Sequence, residues 1–334
     1  DGFTMRVLVS GVAGFIGSHL ADLLLSQGHT VVGVDNFITG NRRNIAHLKG
    51  NSGFSLIEHD VIEPLRVEGR IDQIYHLASP SSPVAYTTHR VLTMRVNSQG
   101  TCNLLDLAVA KGARFLVAST AEVYGDPVVT PQREDHWGNV NPVGLNSVYE
   151  ESKRFSEACA MAYQREQQAD TRIARIFNTY GPRMSVNDGR VITTFVDQAL
   201  ANEPITVYGD GTQARCFCYV SDMVAGLIKT MEGDFHEPIN LGNPEEVGIV
   251  ELAKEILQQV PESRSKVVFQ PAPVYDPRVR RPDISRAKQI LGWAPKVSRT
   301  EGLAKTVQYY RELRKESGGC RERADMNAWR IMAA

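Results

Sequence analysis

The chain has 334 residues, of which 42% are hydrophobic and 22% charged, the composition of an ordinary soluble globular protein with room for one large domain and a smaller lobe. Its formal net charge of −1 excludes a general attraction to nucleic acid or anionic membranes, so an anionic ligand would need local basic residues. The five cysteines contain no C-x-x-C pair and the eight histidines show no metal-binding spacing, so we expect reduced thiols and no catalytic metal. No apolar stretch reaches the roughly 18 residues of a membrane span, and no signal-peptide pattern precedes the first strand, which favours a cytoplasmic protein.

Apolar runs alternate with helical patterns through the first half of the chain. In chain order we expect a strand at 6–10, a helix at 14–27, strands at 30–35, 54–58 and 73–77, a helix at 96–111, a strand at 115–119, a helix at 149–167 and a strand at 171–176. Because strand and helix alternate, the predicted fold class is α/β, a Rossmann-type doubly wound parallel sheet with helices on both faces.

The character of the chain changes after about residue 180. Glycine, proline and aspartate become frequent there, and helical patterns at 191–201 and 249–259 alternate with short strands. We therefore expect the main domain to span 5–180 and a smaller C-terminal lobe to span 181–315, with some of its segments free to return to the sheet. The stretch 316–334 has little pattern and is expected to be a disordered tail.

A glycine-rich turn, Gly11-Val12-Ala13-Gly14-Phe15-Ile16-Gly17, follows the first predicted strand and opens the first helix. Its glycines allow the backbone to approach a pyrophosphate, which the helix N-terminus would face. Asp35 ends the second strand, where an acidic side chain binds the ribose hydroxyls of NAD and repels the extra phosphate of NADP. The turn therefore predicts an NAD site, and the nearby Arg42 and Arg43 are the features that would favour NADP.

The spacing G-x-x-G-x-x-G resembles the extended short-chain dehydrogenase/reductase family. Further matches follow in chain order: Asp60-Val61 looks like the adenine contact, His76-Leu77-Ala78 like the strand end beneath the cofactor, and Asn97 like the usual asparagine of the next helix. The cofactor contacts that the resemblance implies are Gly11, Gly14, Phe15, Ile16, Gly17, Asp35, Asn36, Asp60, Val61, Leu77, Ala78, Asn97, Tyr149 and Lys153.

Tyr149 and Lys153 form a Y-x-x-x-K pattern in the predicted helix at 149–167. Residues four apart share one helix face, so the phenol and the ammonium would project into one site. An ammonium and an oxidised nicotinamide both lower the pKa of a phenol, which can then take a proton from a sugar hydroxyl. Thr120, at a strand end, resembles the family's serine or threonine that shares the hydrogen bond of that hydroxyl. The alternative, a solvated helix face, is disfavoured because the pattern follows a dinucleotide motif.

A second set of motifs resembles enzymes of nucleotide sugars, beginning with Arg175-Ile176-Phe177-Asn178-Thr179-Tyr180-Gly181-Pro182, which looks like their R-x-x-N-x-Y-G-P. Arg190 and Arg215 look like diphosphate ligands, because a guanidinium presents a planar donor fork, and Tyr208 looks like a nucleobase contact. The substrate contacts that this resemblance implies are Pro80, Tyr86, Asn178, Arg183, Arg190, Tyr208, Gln213, Arg215 and Arg280.

Whole phrases between residues 5 and about 312 look like UDP-glucuronate decarboxylases, among them E-V-Y-G-D-P, A-R-I-F-N-T-Y-G-P-R-M and P-I-N-L-G-N-P-E-E. Members of that family oxidise the sugar at C4 with bound NAD, which makes the uronic acid a β-keto acid that loses carbon dioxide. Hydride return then gives UDP-xylose. They are commonly homodimers that pack the helices at 96–111 and 149–167 between subunits. The partners implied are a UDP-sugar and a second copy of the chain, with no nucleic acid and no membrane.

Two residues distinguish a decarboxylase from a 4-epimerase. Glu122 stands in T-x-E-V-Y-G, where epimerases usually carry a small hydroxyl residue, and Arg280 matches the decarboxylase arginine near the substrate carboxylate. Alternatively, Glu122 is only an ion-pair partner and Arg280 a diphosphate ligand. The candidate catalytic set is Thr120, Glu122, Tyr149, Lys153 and Arg280. UDP-glucuronate 4-epimerase and a non-catalytic NAD-binding regulator stay open as alternatives.

The chain departs from the family phrases at two positions beside these residues. Ala121 stands where T-S-E-V-Y-G has serine, and Asn146 stands where G-P-R-A-C-Y has arginine. A serine hydroxyl at position 121 could hydrogen-bond the sugar or relay a proton to C5, and alanine can do neither. We therefore hypothesise that part of the product leaves as UDP-4-keto-pentose.

Overall fold

The structure is a computed structural model, and it describes residues 4–186, 188–271 and 279–316. The strands are β1 (Arg6–Ser10), β2 (Thr30–Asp35), β3 (Phe54–Glu58), β4 (Gln73–His76), β5 (Arg114–Thr120), β6 (Thr171–Ile176), β7 (Thr179–Tyr180), β8 (Ile205–Tyr208), β9 (Ala214–Cys216), β10 (Cys218–Tyr219), β11 (Pro238–Leu241), β12 (Glu246–Gly248), β13 (Val267–Gln270) and β14 (Val279–Arg280). The α-helices are α1 (Phe15–Ser26), α2 (Pro83–Thr88), α3 (Arg90–Arg95), α4 (Thr101–Lys111), α5 (Ser147–Gln167), α6 (Val191–Leu200), α7 (Val220–Glu232), α8 (Ile249–Gln259), α9 (Ser285–Leu291) and α10 (Arg299–Glu316). Arg42–Leu48 and Ala121–Tyr124 are 3₁₀-helical, and Val96–Gly100 is a π-helical turn.

Within the described residues, seven parallel strands form the central sheet in the order β11-β6-β5-β4-β1-β2-β3. The chain runs outward from β1 to β3 and then returns to β4 on the other side of β1. The strand order therefore reverses between β1 and β4, and ligands of such sheets bind at the carboxyl edge beside this reversal. The predicted Rossmann-type fold class is confirmed.

Strands β1, β2, β3 and β6 have the predicted bounds, because buried parallel strands are short apolar runs that end at polar turns. The predicted helix at 96–111 starts earlier, since α3, the π-helical turn and α4 form one continuous helix. A π turn holds one extra residue, which shifts the helical phase of the side chains. The apolar residues before the turn therefore do not continue the periodicity of those after it, and the pattern does not predict the earlier part of the helix. Asn97 lies in this turn and is fully buried.

Helices cover both faces of the sheet. On one face, α1 and α7 pack together, with Leu20 and Leu24 of α1 and Met223 and Leu227 of α7 in one buried cluster. On the other face, α4 and α5 pack against β4 and β5 around a second cluster. Burying both faces leaves the carboxyl edge of the sheet as the open side that loops can shape into a site.

The chain beyond residue 180 divides between the sheet and a small lobe. β11 pairs with β6, from Pro238 opposite Ile173 to Leu241 opposite Ile176, and α7 packs on both strands. The other strands form short sheets, β13 with β8 in parallel, β10 with β7, and β9 between β12 and β14. The lobe is thus joined to the main sheet by hydrogen-bonded strands as well as by the chain.

The C-terminal helix α10 is not among the predicted elements, although its buried Leu303, Thr306, Val307 and Tyr310 follow helical spacing. Glu316 is its last residue, so the rest of the predicted tail, 317–334, lies outside the described residues. No helix in the part of the chain that the structure describes is long and apolar enough to cross a lipid bilayer.

Candidate active site

The predicted glycine turn joins β1 to α1 at the carboxyl edge of the sheet. Gly11 has a φ of +72°, and a Cβ there would lie 2.7 Å from the backbone nitrogen of Ala78. A Cβ at Gly17 would lie 2.1 Å from the carbonyl oxygen of Gly11. These contacts leave room for glycine alone. No side chain caps the N-terminus of α1, so its first N–H groups can bind a phosphate.

Asp35 is buried at the end of β2, beside this turn. Its carboxylate accepts hydrogen bonds from the N–H groups of Ala13 and Phe37, both at 2.8 Å. A carboxylate has about four acceptor positions, so those that remain can take ribose hydroxyls. Burial raises the pKa of Asp35, against the backbone hydrogen bonds and the Arg42 charge that lower it. Asn36 donates to Asp60 at 3.0 Å and so ties the ends of β2 and β3 together.

The two arginines that favour NADP both have carboxylate partners. Arg42 lies 2.7 Å from Glu58, and its guanidinium carbon lies 3.7 Å from the centre of the Phe37 ring. Arg43 lies 3.9 Å from Glu316. Both ion pairs are exposed and therefore weak, but each arginine has a carboxylate partner in the protein itself.

A buried chain of hydrogen bonds runs from β1 to α5 beneath the glycine turn. His76 links Ser10 Oγ, 2.9 Å from its Nδ1, to Thr101 Oγ1, 3.2 Å from its Nε2. Burial lowers the pKa of His76 to about 3, so the ring is neutral. Asn97 donates to Ser152 Oγ at 3.0 Å, and its own Oδ1 is buried with no hydrogen-bond partner among the described residues. This orphaned acceptor and the glycine turn fit a large polar ligand such as a dinucleotide.

The structure brings Thr120, Tyr149 and Lys153 together between the end of β5 and α5. A hydrogen bond from Thr120 lowers the pKa of Tyr149, but burial has the larger effect and raises it to about 12. Lys153 Nζ lies 5.9 Å from the centre of the Tyr149 ring and donates to the carbonyl oxygen of Ala118 at 2.8 Å. Burial lowers the pKa of Lys153 to about 7. The phenol therefore needs an added positive charge before it can serve as a base near neutral pH.

Tyr86 of α2 covers the ring of Tyr149. The two ring centres lie 5.0 Å apart and the planes are within 5° of parallel. The Tyr86 hydroxyl donates to Asn146 Oδ1 at 3.5 Å. Asn146, which replaces the arginine of the resembling phrase, thus contacts the residue that shields the phenol.

Glu122 and Arg280 form an ion pair between segments 158 residues apart. Both side chains are largely buried, with exposed fractions of 25% and 11%. Arg280 lies opposite Arg215 in the register of β14 and β9, so the two guanidinium groups start from the same face of that small sheet. The charges of Glu122 and Arg280 both act on Glu150. Burial first, and then the Glu122 carboxylate, raise the pKa of Glu150 to about 7, while Arg280 lowers it.

Arg190, at the N-terminus of α6, lies on another side of the site. It donates to the carbonyl oxygen of Ser81, next to Pro80, at 3.1 Å and pairs with Asp188 at 3.1 Å. Its positive charge also lowers the pKa of Tyr149. A guanidinium between the β4–α2 loop and the phenol can bind an anionic substrate group.

The remaining predicted substrate residues lie at separate places. Asn178 follows the end of β6 and is exposed. Gln213 donates to the carbonyl oxygen of Tyr208 at 2.7 Å, so these two are neighbours in the lobe. Arg183 points toward α1, where it lies 2.7 Å from Asp22.

Comparison with known proteins shows the family of the chain. The family model described as GDP-mannose 4,6 dehydratase matches residues 8–306. The chain belongs to this family of extended short-chain dehydrogenases/reductases. Within the family it is 52% identical to UDP-glucuronic acid decarboxylase 1 of Danio rerio over 309 aligned residues. The alignment covers 92% of this chain and 73% of that relative. The chain is also 52% identical over 308 residues to UDP-glucuronic acid decarboxylase 2 of Arabidopsis thaliana, covering 92% and 68%. The resemblance predicted from the sequence is confirmed.

A solved structure of the family shows the same fold. UDP-glucuronic acid 4-epimerase from Bacillus cereus, in complex with UDP-glucuronic acid and NAD, matches with a TM-score of 0.81 and 29% identity, covering 92% of this chain and all of that one. Identity to the decarboxylases is thus much higher than identity to this epimerase.

The family motifs do not point to every residue that supports the site. Ser152 is the partner of Asn97 and lies inside the Y-x-x-x-K pattern, so helix geometry could have found it. Glu157 is a second case: it receives two hydrogen bonds from the buried Arg175 and one from Ser119 beside Thr120. Its spacing of four residues from Lys153 was a usable signal.

Proposed function

We propose that this chain is an NAD-dependent UDP-glucuronate decarboxylase that forms UDP-xylose. The observation that carries the proposal is the Glu122–Arg280 pair beside the cluster of Thr120, Tyr149 and Lys153. An oxidising site thereby adjoins a guanidinium that can bind a carboxylate. The identity of about half of all residues with decarboxylases over most of the chain supports the same reaction.

NAD is the cofactor that the glycine turn, Asp35 and the buried Asn97 fit. Bound there, it would accept the C4 hydrogen with its electron pair and give it back after carbon dioxide leaves. Its positive ring would also stabilise the phenolate of Tyr149, which burial disfavours in the free protein. Phe15, Ile16, Asn36, Val61, Leu77 and Ala78 complete the proposed contacts, and Asp60, which accepts a hydrogen bond from Asn36, would bind the adenine.

Tyr149 takes the proton of the C4 hydroxyl in the first step, and Thr120 shares that hydroxyl's hydrogen bond. Lys153 holds the ribose of the nicotinamide side and keeps its ammonium near the phenolate. Tyr86, stacked on Tyr149, keeps water from the phenol and orients its ring. These groups are needed for any substrate that is oxidised at C4, with or without a carboxylate.

Arg280 acts in the next step by holding the substrate carboxylate, with Glu122 fixing the direction of the guanidinium. Once C4 is a ketone, the bond between C5 and the carboxylate carbon breaks and carbon dioxide leaves. The electron pair of that bond forms an enolate with the C4 ketone. A proton then adds at C5, so one proton from solution is consumed for each carbon dioxide released. The Tyr149 proton returns to the C4 oxygen as the ketone is reduced.

The nucleotide part of the substrate is placed in the lobe. Arg190 and Arg215 bind the diphosphate, and Asn178, exposed at the sheet edge, binds the sugar or the diphosphate. Tyr208 and Gln213, which are neighbours, would contact the nucleobase. Pro80 borders the sugar, and Arg183 joins these contacts by anchoring the turn after β7 to α1.

A homodimer is the proposed assembly. Among the described residues, α3 exposes Val91 and Met94, with 69% and 47% of their surface accessible, and the adjoining α5 exposes Phe155 at 46%. Apolar side chains on neighbouring helices favour burial against a second copy. Light scattering should give twice the chain mass, and a Phe155→Glu variant should lower it. The cytoplasmic location stays a prediction.

One incubation tests the proposed function. UDP-glucuronate labelled at the carboxyl carbon should release labelled carbon dioxide and leave a product of the mass of UDP-xylose. A 4-epimerase would leave the mass unchanged and release no carbon dioxide. A non-catalytic NAD-binding regulator would change nothing. Either of these last two results contradicts the proposal.

A further inference from the structure

The segment after Arg280 is held by one buried residue, Gln132, which has no exposed surface and which bonds this segment through both its side chain and its backbone. The N–H of Arg281 donates to Gln132 Oε1 at 2.7 Å, and the N–H of Asp283 donates to the Gln132 carbonyl oxygen at 2.9 Å. Pro282, between them, has no N–H. In this described stretch, every backbone donor of residues 281–283 therefore ends on Gln132. The Gln132 N–H in turn donates to the Arg281 carbonyl at 2.8 Å.

Gln132 is itself connected to the turn that carries Glu122. Its carbonyl oxygen also accepts from Asn240 Nδ2 at 3.0 Å. Asn240 Oδ1 accepts from the hydroxyl of Tyr124 at 2.7 Å, and Tyr124 is the last residue of the turn Ala121–Tyr124. One set of buried bonds thus links the chain around both members of the Glu122–Arg280 pair.

Arg280 has little other support from the described backbone. β14 contains two residues and pairs with β9 alone among the described strands. A two-residue pairing fixes the strand direction only weakly. The hydrogen bonds immediately after Arg280 therefore determine the position of its Cα, from which the side chain extends. The Gln132 side chain also donates from Nε2 to the Val129 carbonyl oxygen at 3.3 Å, so both of its polar atoms are bonded. Buried hydrogen bonds of this kind are costly to disturb, which makes Gln132 a rigid support.

We propose that Gln132 is a positioning residue for decarboxylation, which holds Arg280 against Glu122 and the substrate carboxylate through the backbone of Arg281. This inference rests on the proposed function and extends it to a residue that touches neither substrate nor cofactor. In the part of the chain that the structure describes, Thr120, Tyr149 and Lys153 make no hydrogen bond with Gln132. Gln132 therefore serves the carboxylate-dependent step and is dispensable for oxidation at C4.

The test compares two substrates in the full chain with NAD. UDP-glucuronate needs the carboxylate site, and UDP-xylose, which has no carboxylate, needs oxidation alone. Gln132→Met keeps the side-chain length but removes the acceptor for Arg281. It should slow carbon dioxide release at least about 10-fold and change UDP-xylose oxidation, followed by nicotinamide absorbance at saturating substrate, less than about 2-fold. Gln198→Met is the matched control, because Gln198 also accepts a backbone N–H, that of Thr206 at 3.0 Å. It should leave the ratio of the two rates unchanged.

Two further variants separate positioning from simple destabilisation. Gln132→Glu keeps an oxygen for Arg281 and should release carbon dioxide at least about 5-fold faster than Gln132→Met. In an Arg280→Ala background, Gln132→Met should add less than about 2-fold, because the residue acts through Arg280.

Parallel loss of both reactions in Gln132→Met, full additivity with Arg280→Ala, or normal carbon dioxide release would overturn the proposal. If Gln132→Met does not fold, the comparison of Gln132→Glu with wild type at both substrates decides: an equal loss in both reactions overturns it. Failure of the proposed function is recognised separately, since the wild-type chain would then release no carbon dioxide.

Discussion

The cofactor end and the carboxylate end of the site are built in different ways. At the cofactor end, the glycine turn, Asp35 and the N-terminus of α1 lie close together along the chain and are joined directly, for example by the hydrogen bond from the Ala13 N–H to the Asp35 carboxylate, 22 residues away. At the carboxylate end, Glu122 and Arg280 are 158 residues apart, and the backbone around them is connected through the buried Gln132 and Asn240. One end is local in sequence and the other is assembled by the complete fold.

This difference separates two chemical tasks. The local end binds a dinucleotide, a task that the whole family shares, and the cluster of Thr120, Tyr149 and Lys153 uses that dinucleotide for oxidation. The assembled end determines the fate of the oxidised sugar, because it meets the carboxylate. A short strand and a few buried polar bonds can change there without disturbing the sheet, so specificity can vary while the cofactor site stays the same. Variants at each end show whether the two tasks are separable in this way.

The largest effect is expected at the oxidising cluster. Tyr149→Phe removes the group that accepts the C4 proton and should lower turnover by about 10²–10⁴-fold with both UDP-glucuronate and UDP-xylose. Steady-state rates with each substrate measure it. Tyr163→Phe on the same helix, which removes a hydrogen bond to Asp106, is the control and should stay within about 2-fold. Near-normal rates in Tyr149→Phe would exclude it as the base.

A smaller and more selective effect is expected at the carboxylate end. Glu122→Gln and Arg280→Ala should each lower carbon dioxide release about 10²-fold, the scale of removing one charged group from an active site. NAD affinity, measured by fluorescence titration, should stay within about 2-fold, since neither residue adjoins the glycine turn. If both variants decarboxylate normally, Glu122 and Arg280 do not act on the substrate carboxylate, and the two ends are not separable in this way.

A pH effect of a few-fold is expected from Glu150. Its pKa, raised to about 7 by burial and by Glu122, makes it neutral below pH 7 and negative above. A negative charge there weakens the hold of Arg280 on the substrate carboxylate, so the KM for UDP-glucuronate should rise between pH 6 and pH 8. Glu150→Gln should flatten this rise. Glu151→Gln, which removes the pair with Arg154 and only the weakest of the charges that act on Glu150, should keep the rise. An unchanged rise in Glu150→Gln would remove Glu150 as the cause.

The smallest effect concerns Ala121, which is buried against Val123, Tyr124 and Phe177. Without a hydroxyl there, the keto intermediate is held less firmly, and weaker binding at that stage alone slows the last step while sparing the first. The wild type should release some UDP-4-keto-pentose with matching NADH, and Ala121→Ser should shift the products toward UDP-xylose about 2-fold by mass analysis. The rate of initial oxidation is the internal control. Wild type yielding UDP-xylose alone, with no NADH, would contradict the hypothesis.

The same division separates the features that the sequence predicts from those that it does not. The bounds of β2, β3 and β6 and the contact between Tyr149 and Lys153 depend on neighbours in the chain, so patterns indicate them. Arg280 is indicated by resemblance alone, because nothing near it in sequence points to Glu122, and their ion pair is not predicted from the sequence. Gln132 carries no sequence signal at all: a glutamine in a polar loop predicts an exposed residue, and only the folded chain buries it.

The pairing of β11 with β6 has a consequence for how the protein is made. Residues up to Ile176 leave the ribosome well before Pro238, so the growing chain must carry β6 as an open sheet edge until Leu241 emerges. An uncovered edge invites pairing with other chains. A fragment that ends near residue 180 keeps that edge permanently and is expected to aggregate on expression. A fragment designed to contain the cofactor end without the lobe should therefore not end near residue 180, or should retain residues 220–241 with the sheet.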